Sequence, residues 1–138
     1  MELSAEHIRL IREKFESNHF PRSVGIELDS IEHGRARLSL EVKQQHLQLA
    51  GVMHGGAIAT LIDTAVAFAI VGASELGARF TTIEMKVNYL SPIRKGRIVA
   101  DAKLIRDGRR IVVADCDVFD SEGRLAAKGL LTYMRLSD

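Results

Sequence analysis

The longest apolar stretch of this sequence runs from residue 57 to residue 73, and its only polar side chains are Thr60, Asp63 and Thr64. The stretch is too long for one strand and is rich in alanine, so it predicts a helix that ends near Gly77. Because this helix is apolar on nearly every side, other elements must enclose it. The alternative is a membrane span, in which Asp63 near the middle would cost about 2.5–3.5 kcal/mol.

Segments on both sides of this helix supply an enclosing sheet. Apolar residues alternate with polar ones from residue 35 to residue 43, which predicts a half-buried strand. The other predicted strands cover about residues 24–32, 79–90, 97–106, 110–119 and 125–135, and residues 44–53 form a loop. Asp107-Gly108 and Ser121-Glu122-Gly123 are tight-turn sequences, so the last three strands should form consecutive antiparallel hairpins.

The first 20 residues predict a short amphipathic helix and its lead-in. Ser4 can cap this helix, and Ile8, Ile11 and Phe15 recur at helical spacing on one side. Phe20-Pro21 is expected to end it. The predicted fold class is therefore α+β, with an antiparallel sheet wrapped around one long central helix and a short helix before it.

The composition predicts one globular domain that covers residues 1–138. Basic and acidic residues nearly balance, at 19 against 18, so neither nucleic acid nor a membrane is expected as a partner. The single cysteine, Cys116, cannot form an intrachain disulfide, which suits the cytoplasm, and it should be a small buried residue in a strand. The histidines do not cluster with cysteines or acids, so no metal site is expected.

Asp63 is the most informative residue of the central helix. An unpaired buried carboxylate is costly, so an aspartate here needs a hydrogen-bonding partner, access to a cavity, or a chemical task. Thr60, Asp63 and Thr64 share one face and form a narrow polar stripe. The alternative is a structural aspartate that caps a loop or bonds a neighbouring backbone group.

Two glycines, Gly55 and Gly56, stand at the start of this helix directly after His54. Backbone N–H groups at a helix start lack internal partners, and the helix dipole is positive there. Glycines leave these groups open to a ligand, which suits a carbonyl oxygen that acquires negative charge. The alternative is a helix entry that only needs the backbone freedom of glycine.

The spacing of Gly55 and Asp63 predicts a site shared between subunits. Eight residues separate them, which is about 12 Å along a helix axis. An oxyanion donor and a nucleophile or base must both lie about 3 Å from one reacting group, so one helix cannot easily supply both. Two antiparallel copies can, because Gly55 of one chain then faces Asp63 of the other.

Residues 51–63, Gly-Val-Met-His-Gly-Gly-Ala-Ile-Ala-Thr-Leu-Ile-Asp, resemble the signature of hotdog-fold acyl-CoA thioesterases, in particular the phenylacetate-pathway type. The similarity extends over nearly all of the chain from Val24, and includes residues 83–92, 108–110 and 123–133. The combined pattern is specific, whereas His-Gly-Gly alone is not. The resemblance implies the hotdog fold and the hydrolysis of an acyl-CoA thioester to a free acid and CoA.

The resemblance also implies a role for individual residues. Asp63 is expected to act as the nucleophile or as the general base that activates water, and the family does not decide between the two. The Gly55 N–H is expected to polarise the thioester carbonyl. Gln48 matches a position that orients the water or that carbonyl, His54 would shape the loop, and Thr82 matches a Ser/Thr position that assists near the acid.

Coenzyme A carries phosphates, so cationic residues are expected beside the site. The residues predicted to bind the CoA portion of the substrate are Gly56, Ser91, Pro92, Arg94, Lys95, Arg109 and Arg110. Arg109 is the preferred phosphate contact, and the alternative is that these are hairpin-tip charges that keep the protein soluble. No cofactor is implied, because coenzyme A is part of the substrate.

The sequence thus predicts a thioesterase that works as a homo-oligomer, a dimer of dimers. One alternative is a hydratase or dehydratase of the same fold, but such enzymes generally need a histidine that works with an acid, and His54 stands next to the glycines. Another is a non-catalytic acyl-CoA-binding module of a regulator, for which 138 residues leave no room for a sensing segment. Aryl-acetyl, benzoyl and medium-chain acyl groups all remain open.

Overall fold

A computed structural model of the chain describes residues 2–136; Met1, Ser137 and Asp138, at the ends of the predicted domain, lie outside the described residues. Six strands form one antiparallel sheet in the order β1-β2-β4-β5-β6-β3. The strands are β1 Ile26–Glu32, β2 Arg35–Glu41, β3 Phe80–Tyr89, β4 Arg97–Asp107, β5 Ile111–Phe119 and β6 Leu125–Arg135. The helices are α1 Ala5–Glu16, α2 His19–Val24 and α3 Gly55–Gly72, with a 3-10 turn at Gln44–His46. These bounds confirm the predicted architecture, and β4, β5 and β6 are the two expected hairpins.

Helix α3 lies on the inner face of the sheet and packs mainly against β2 and β4. Leu61, Ile62 and Val66 on this helix have no exposed surface. Helix α1 covers one end of it, where the rings of Phe15 and Phe68 meet edge-on with centroids 5.2 Å apart. By length and composition α3 could also cross a membrane, and it is the one such helix within residues 2–136. A buried core helix passes the same test, and 56% of the window is buried against the rest of the chain.

The predicted end of the first helix at Phe20-Pro21 is wrong. Helix α1 ends at Glu16, and both residues belong to the second helix, α2. Pro21 is the third residue of α2, where its missing N–H group would have had no partner within the helix. Gly25 ends α2 with a φ of 95°, in the left-handed region that favours glycine, so β1 begins after it.

Helix α3 begins at the two glycines, as predicted, but it ends earlier than the sequence pattern predicts. His54 caps the helix, so the two glycines form its first turn. At the other end, the N–H groups of Ala73 and Ser74 donate to carbonyls three residues back, which tightens the last turn and stops the helix well before Gly77.

Strand β3 lies at one edge of the sheet, and α3 leaves its inner face largely open. Met85 and Tyr89 pair with Leu131 and Ala127 of β6, which are buried, so all four side chains share the face that looks toward α3. Met85 and Tyr89 are nevertheless 40% and 53% exposed. This open strip lies beside the polar stripe of α3.

Candidate active site

Asp63 is partly buried on α3, and its carboxylate is bonded to the sheet. Thr82 of β3 donates to Asp63 Oδ1 at 2.9 Å, and Tyr133 of β6 donates to the same oxygen at 2.5 Å. Thr60 and Thr64, the other members of the polar stripe, instead donate to carbonyl groups one turn earlier in their own helix. Of the three stripe residues, only Asp63 therefore reaches across to another element.

Thr82 and Tyr133 face each other across neighbouring strands, directly before a register shift between Thr82 and Glu84. Such bulges re-aim side chains, and they occur often beside functional sites. Burial raises the pKa of the Tyr133 phenol, and its hydrogen bond to Asp63 raises this pKa further. The hydroxyl therefore keeps its proton at neutral pH and acts as a donor to the carboxylate.

The N-terminus of α3 presents one open N–H group instead of two. His54 Nδ1 accepts the Gly56 N–H at 2.8 Å, so this group is already bonded within the chain. The Gly55 N–H donates no hydrogen bond within residues 2–136. Tyr89 donates through its hydroxyl to the Gly55 carbonyl at 2.9 Å, and a Cβ added at Gly55 would lie 3.3 Å from the Tyr89 ring.

A cleft of about 370 Å³, which we call the Gly55 cleft, opens beside this N-terminus. It brings together Gln48, Gly55, Ser91 and Pro92 of the predicted site residues. The rest of its lining is mainly apolar, with Val52, Met53, Ile58, Tyr89, Leu90 and Ile93. Backbone hydrogen bonds with Val52 and Gly51 hold the main chain of Gln48 in the loop. A larger surface depression, about 670 Å³ along α1, contains none of the predicted site residues.

The cations predicted to bind phosphate fall into two groups. Arg94 and Lys95 line a smaller cleft of about 160 Å³ that adjoins the Gly55 cleft at Pro92. Arg109 and Arg110 belong to the β4–β5 connection, and Arg109 lines a separate cleft of about 310 Å³ beside the opposite end of β3. Within one chain, the first pair therefore lines a cleft next to the Gly55 cleft, whereas Arg109 lines a cleft at the other end of β3.

Asp63 does not line the Gly55 cleft. Because α3 is continuous from Gly55 to Gly72, the eight-residue separation again corresponds to about 12 Å along the axis. One chain thus holds a positioned carboxylate and an open backbone donor that do not meet.

Other chemistry finds little support in the described residues. Within residues 2–136, no three His, Cys, Asp or Glu side chains come together in a way that could hold a metal ion. Cys116 is fully buried as predicted, and burial raises the pKa of its thiol, so it is a poor nucleophile at neutral pH. His54 uses its Nδ1 to cap α3, which leaves it in a structural role in this conformation.

Sequence reasoning missed both tyrosines of the site. Tyr133 stands in β6 opposite Thr82, and Tyr89 stands at the end of β3 against Gly55. A tyrosine in a strand is ordinary, so neither gave a signal by itself. The pairing of β6 with β3 is the information that identifies Tyr133, because cross-strand neighbours share one face of the sheet.

An antiparallel sheet curled around one long apolar helix is the arrangement of the hotdog fold. A family model described as "Thioesterase superfamily" matches residues 50–127, which is more than half of the chain. The chain belongs to this superfamily.

Individual relatives agree with this assignment. The chain is 32% identical to "Medium/long-chain acyl-CoA thioesterase YigI" of Escherichia coli K12, over 96% of each protein. It resembles a thioesterase family protein from Silicibacter pomeroyi with a TM-score of 0.88 and 27% identity, over 96% of this chain and 99% of the other. It also resembles the phenylacetic acid degradation protein PaaI from Thermus thermophilus, with a TM-score of 0.80 and 29% identity over 86% and 100%.

Proposed function

We propose that this protein hydrolyses acyl-CoA thioesters to a free carboxylic acid and CoA, with Asp63 as the reacting carboxylate. The observation that carries the proposal is the carboxylate itself: it is the one charged side chain of α3, is held by two hydroxyl donors, and is still partly exposed. The name of the Escherichia coli relative supports an acyl-CoA as the substrate class.

Asp63 can act in either of two ways. As a general base it takes a proton from water, and the resulting hydroxide forms a C–O bond to the thioester carbonyl. As a nucleophile it forms that bond itself, and water then hydrolyses the acyl-aspartyl anhydride. In both routes the tetrahedral oxyanion collapses, the C–S bond breaks, and the departing CoA thiolate takes up a proton. The Gly55 N–H stabilises the oxyanion in both.

The site is proposed to form between two copies of the chain. Strand β3 has an unpaired edge, and its inner face exposes the apolar side chains of Met85 and Tyr89 beside α3. A second copy related by a two-fold axis would cover this strip and set Gly55 of one chain against Asp63 of the other. Further association to a dimer of dimers stays a prediction.

The Gly55 cleft is proposed to receive the thioester end of the substrate. Gln48 would orient the carbonyl or the attacking water, and Ser91 and Pro92 would line the path of the CoA arm. Arg94 and Lys95 would meet the phosphates, because their cleft adjoins this one at Pro92. No cofactor is needed beyond the CoA that arrives with the substrate, and we propose that the protein works in the cytoplasm.

A free-thiol assay over aryl-acetyl, benzoyl and medium-chain acyl-CoAs tests the proposal. Asp63→Asn keeps the size of the side chain but removes the base, so we expect kcat to fall at least about 100-fold. Glu13→Gln, at an exposed carboxylate of α1 outside the Gly55 cleft, is the control and should keep wild-type activity. Equal rates of CoA release by the wild type and Asp63→Asn would refute the proposal.

A further inference from the structure

Both hydrogen bonds that hold the Asp63 side chain end on the same carboxylate oxygen. Thr82 and Tyr133 donate to Oδ1, whereas Oδ2 accepts no hydrogen bond from any group within residues 2–136. A carboxylate oxygen offers about two lone-pair sites, so Oδ1 is saturated and Oδ2 keeps both of its own. The two oxygens of Asp63 are therefore chemically unequal.

We propose that Tyr133 is a positioning residue for Asp63: together with Thr82 it binds Oδ1 and so presents Oδ2 as the oxygen that reacts. This inference rests on the proposed role of Asp63 as nucleophile or general base. It assigns that role to one oxygen, and it adds to the site Tyr133, for which the sequence predicted no role.

The surroundings of Tyr133 hold its hydroxyl at this point. The residue is 3% exposed, its ring packs against Phe80 with centroids 5.8 Å apart, and its backbone is paired on both sides, with β5 and with β3. Its cross-strand partner on β3 is Thr82, so two adjacent strands deliver two donors to one oxygen. The Tyr133 hydroxyl cannot leave this point without a movement of its packed ring.

The phenol proton has a clear preference between its two possible acceptors. Tyr133 Oη lies 2.5 Å from Asp63 Oδ1 and 2.9 Å from the backbone oxygen of the same residue. Hydrogen bonds to charged acceptors are shorter and stronger than those to neutral ones, so the hydroxyl keeps its proton and donates it in a hydrogen bond to the carboxylate. The χ2 torsion of an aspartate is otherwise broad and roughly two-fold. Two donors on Oδ1 suppress the rotation about χ2 that would exchange the two carboxylate oxygens of Asp63.

Tyr133→Phe removes one donor and keeps the ring against Phe80. We expect kcat for an acyl-CoA to fall about tenfold, as for the loss of one hydrogen bond to a charged group, while KM changes by less than about twofold. A tyrosine that served only the core would lower the melting temperature and leave kcat unchanged in the folded protein. Unchanged kcat would therefore overturn the inference.

A double-mutant cycle with Thr82 separates positioning from general damage. Either donor alone can still hold Oδ1, so Tyr133→Phe combined with Thr82→Val should lower kcat by more than the product of the single effects. Thr82→Ser keeps its hydroxyl, and it should restore the Tyr133→Phe single-mutant rate when it replaces Thr82→Val in the double variant. Effects that simply multiply would contradict a shared oxygen.

Asp63→Asn in the same assay distinguishes a failure of the positioning role of Tyr133 from a failure of the proposed function. If Asp63→Asn is inactive and Tyr133→Phe keeps full kcat, the positioning role fails and the proposed function stands. If Asp63→Asn is fully active, the proposed function fails, and the inference fails with it.

Discussion

At the residue scale, the partners of the Asp63 carboxylate differ from those of Asp101 and Asp120. Asp101 and Asp120 are paired with arginines, and both have a lowered pKa, chiefly from the hydrogen bond of the Arg35 side chain for Asp101 and of the Arg124 backbone for Asp120. None of the ion pairs among residues 2–136 involves Asp63, whose partners are neutral hydroxyls. The Asp63 carboxylate is therefore held in place without an ion pair, which suits a group that must react.

The two groups of cations lead to a prediction about which residues bind the phosphates of CoA. If Arg94 and Lys95 bind the CoA phosphates, Arg94→Ala should raise KM for an acyl-CoA about fivefold and leave kcat unchanged, as for the loss of a charged hydrogen bond to a mobile group. A short thioester that lacks the nucleotide should be unaffected. Steady-state kinetics with both substrates measure this difference.

Arg109→Ala is the matched comparison, because Arg109 was the phosphate contact preferred from the sequence and lines a different cleft. A rise in KM for Arg109→Ala alone would place the phosphates beside the opposite end of β3, where a partner chain would have to bring them. Equal damage with both substrates would remove either residue from CoA binding.

At the element scale, the sheet is held by cross-strand ion pairs as well as by its ladder. Arg35 and Arg37 of β2 both bind Asp101 of β4, at 2.7 and 3.2 Å. The hydrogen bond from Arg35 is the largest cause of the lowered pKa of Asp101. A lowered pKa in the folded state means that this contribution is present above the unfolded-state pKa and is lost as the pH falls through the folded one.

Asp101→Asn should therefore destabilise the protein at neutral pH and much less in acid. Because both arginines are about half exposed, solvent screening limits the expected loss to about 1 kcal/mol. Urea unfolding of the wild type and of Asp101→Asn at several pH values measures this loss. A loss that stays constant down to the most acidic pH would show that the charge is not the cause.

At the scale of the whole molecule, the proposed shared site predicts complementation between two inactive variants. Asp63→Ala retains Gly55, and Gly55→Pro retains Asp63 while it removes the N–H at a position where proline fits a helix start. A mixed dimer contains one intact site. Random exchange should thus recover about a quarter of wild-type activity, since about half of the dimers are mixed and each has one of its two sites intact.

A control variant separates the effect of losing the Gly55 N–H group from the effect of adding a side chain at this position. Gly55→Ala adds the same Cβ beside the Tyr89 ring but keeps the N–H, so it should be much more active than Gly55→Pro. Size-exclusion chromatography with light scattering shows whether mixed dimers form. A fully active monomer, or mixed dimers with no recovered activity, would exclude the shared site.

What the sequence alone determined is local. A continuous apolar run predicted α3, alternation predicted the strands, and turn residues predicted the hairpins, because each of these patterns depends on the period of one element. The isolated acid on the apolar run marked Asp63, and the resemblance placed Thr82 near it, where the structure shows a hydrogen bond.

Only the tertiary structure decided which distant side chains meet. The order of the strands sets β3 beside β6, and this brings Tyr133 to the carboxylate and leaves the inner face of β3 open. At the start of α3, the Gly56 N–H donates to the His54 side chain. Arg94 and Arg109 lie in clefts at opposite ends of β3. These outcomes depend on pairing between segments far apart in the chain and on side-chain rotamers within one packed core, which no local period encodes.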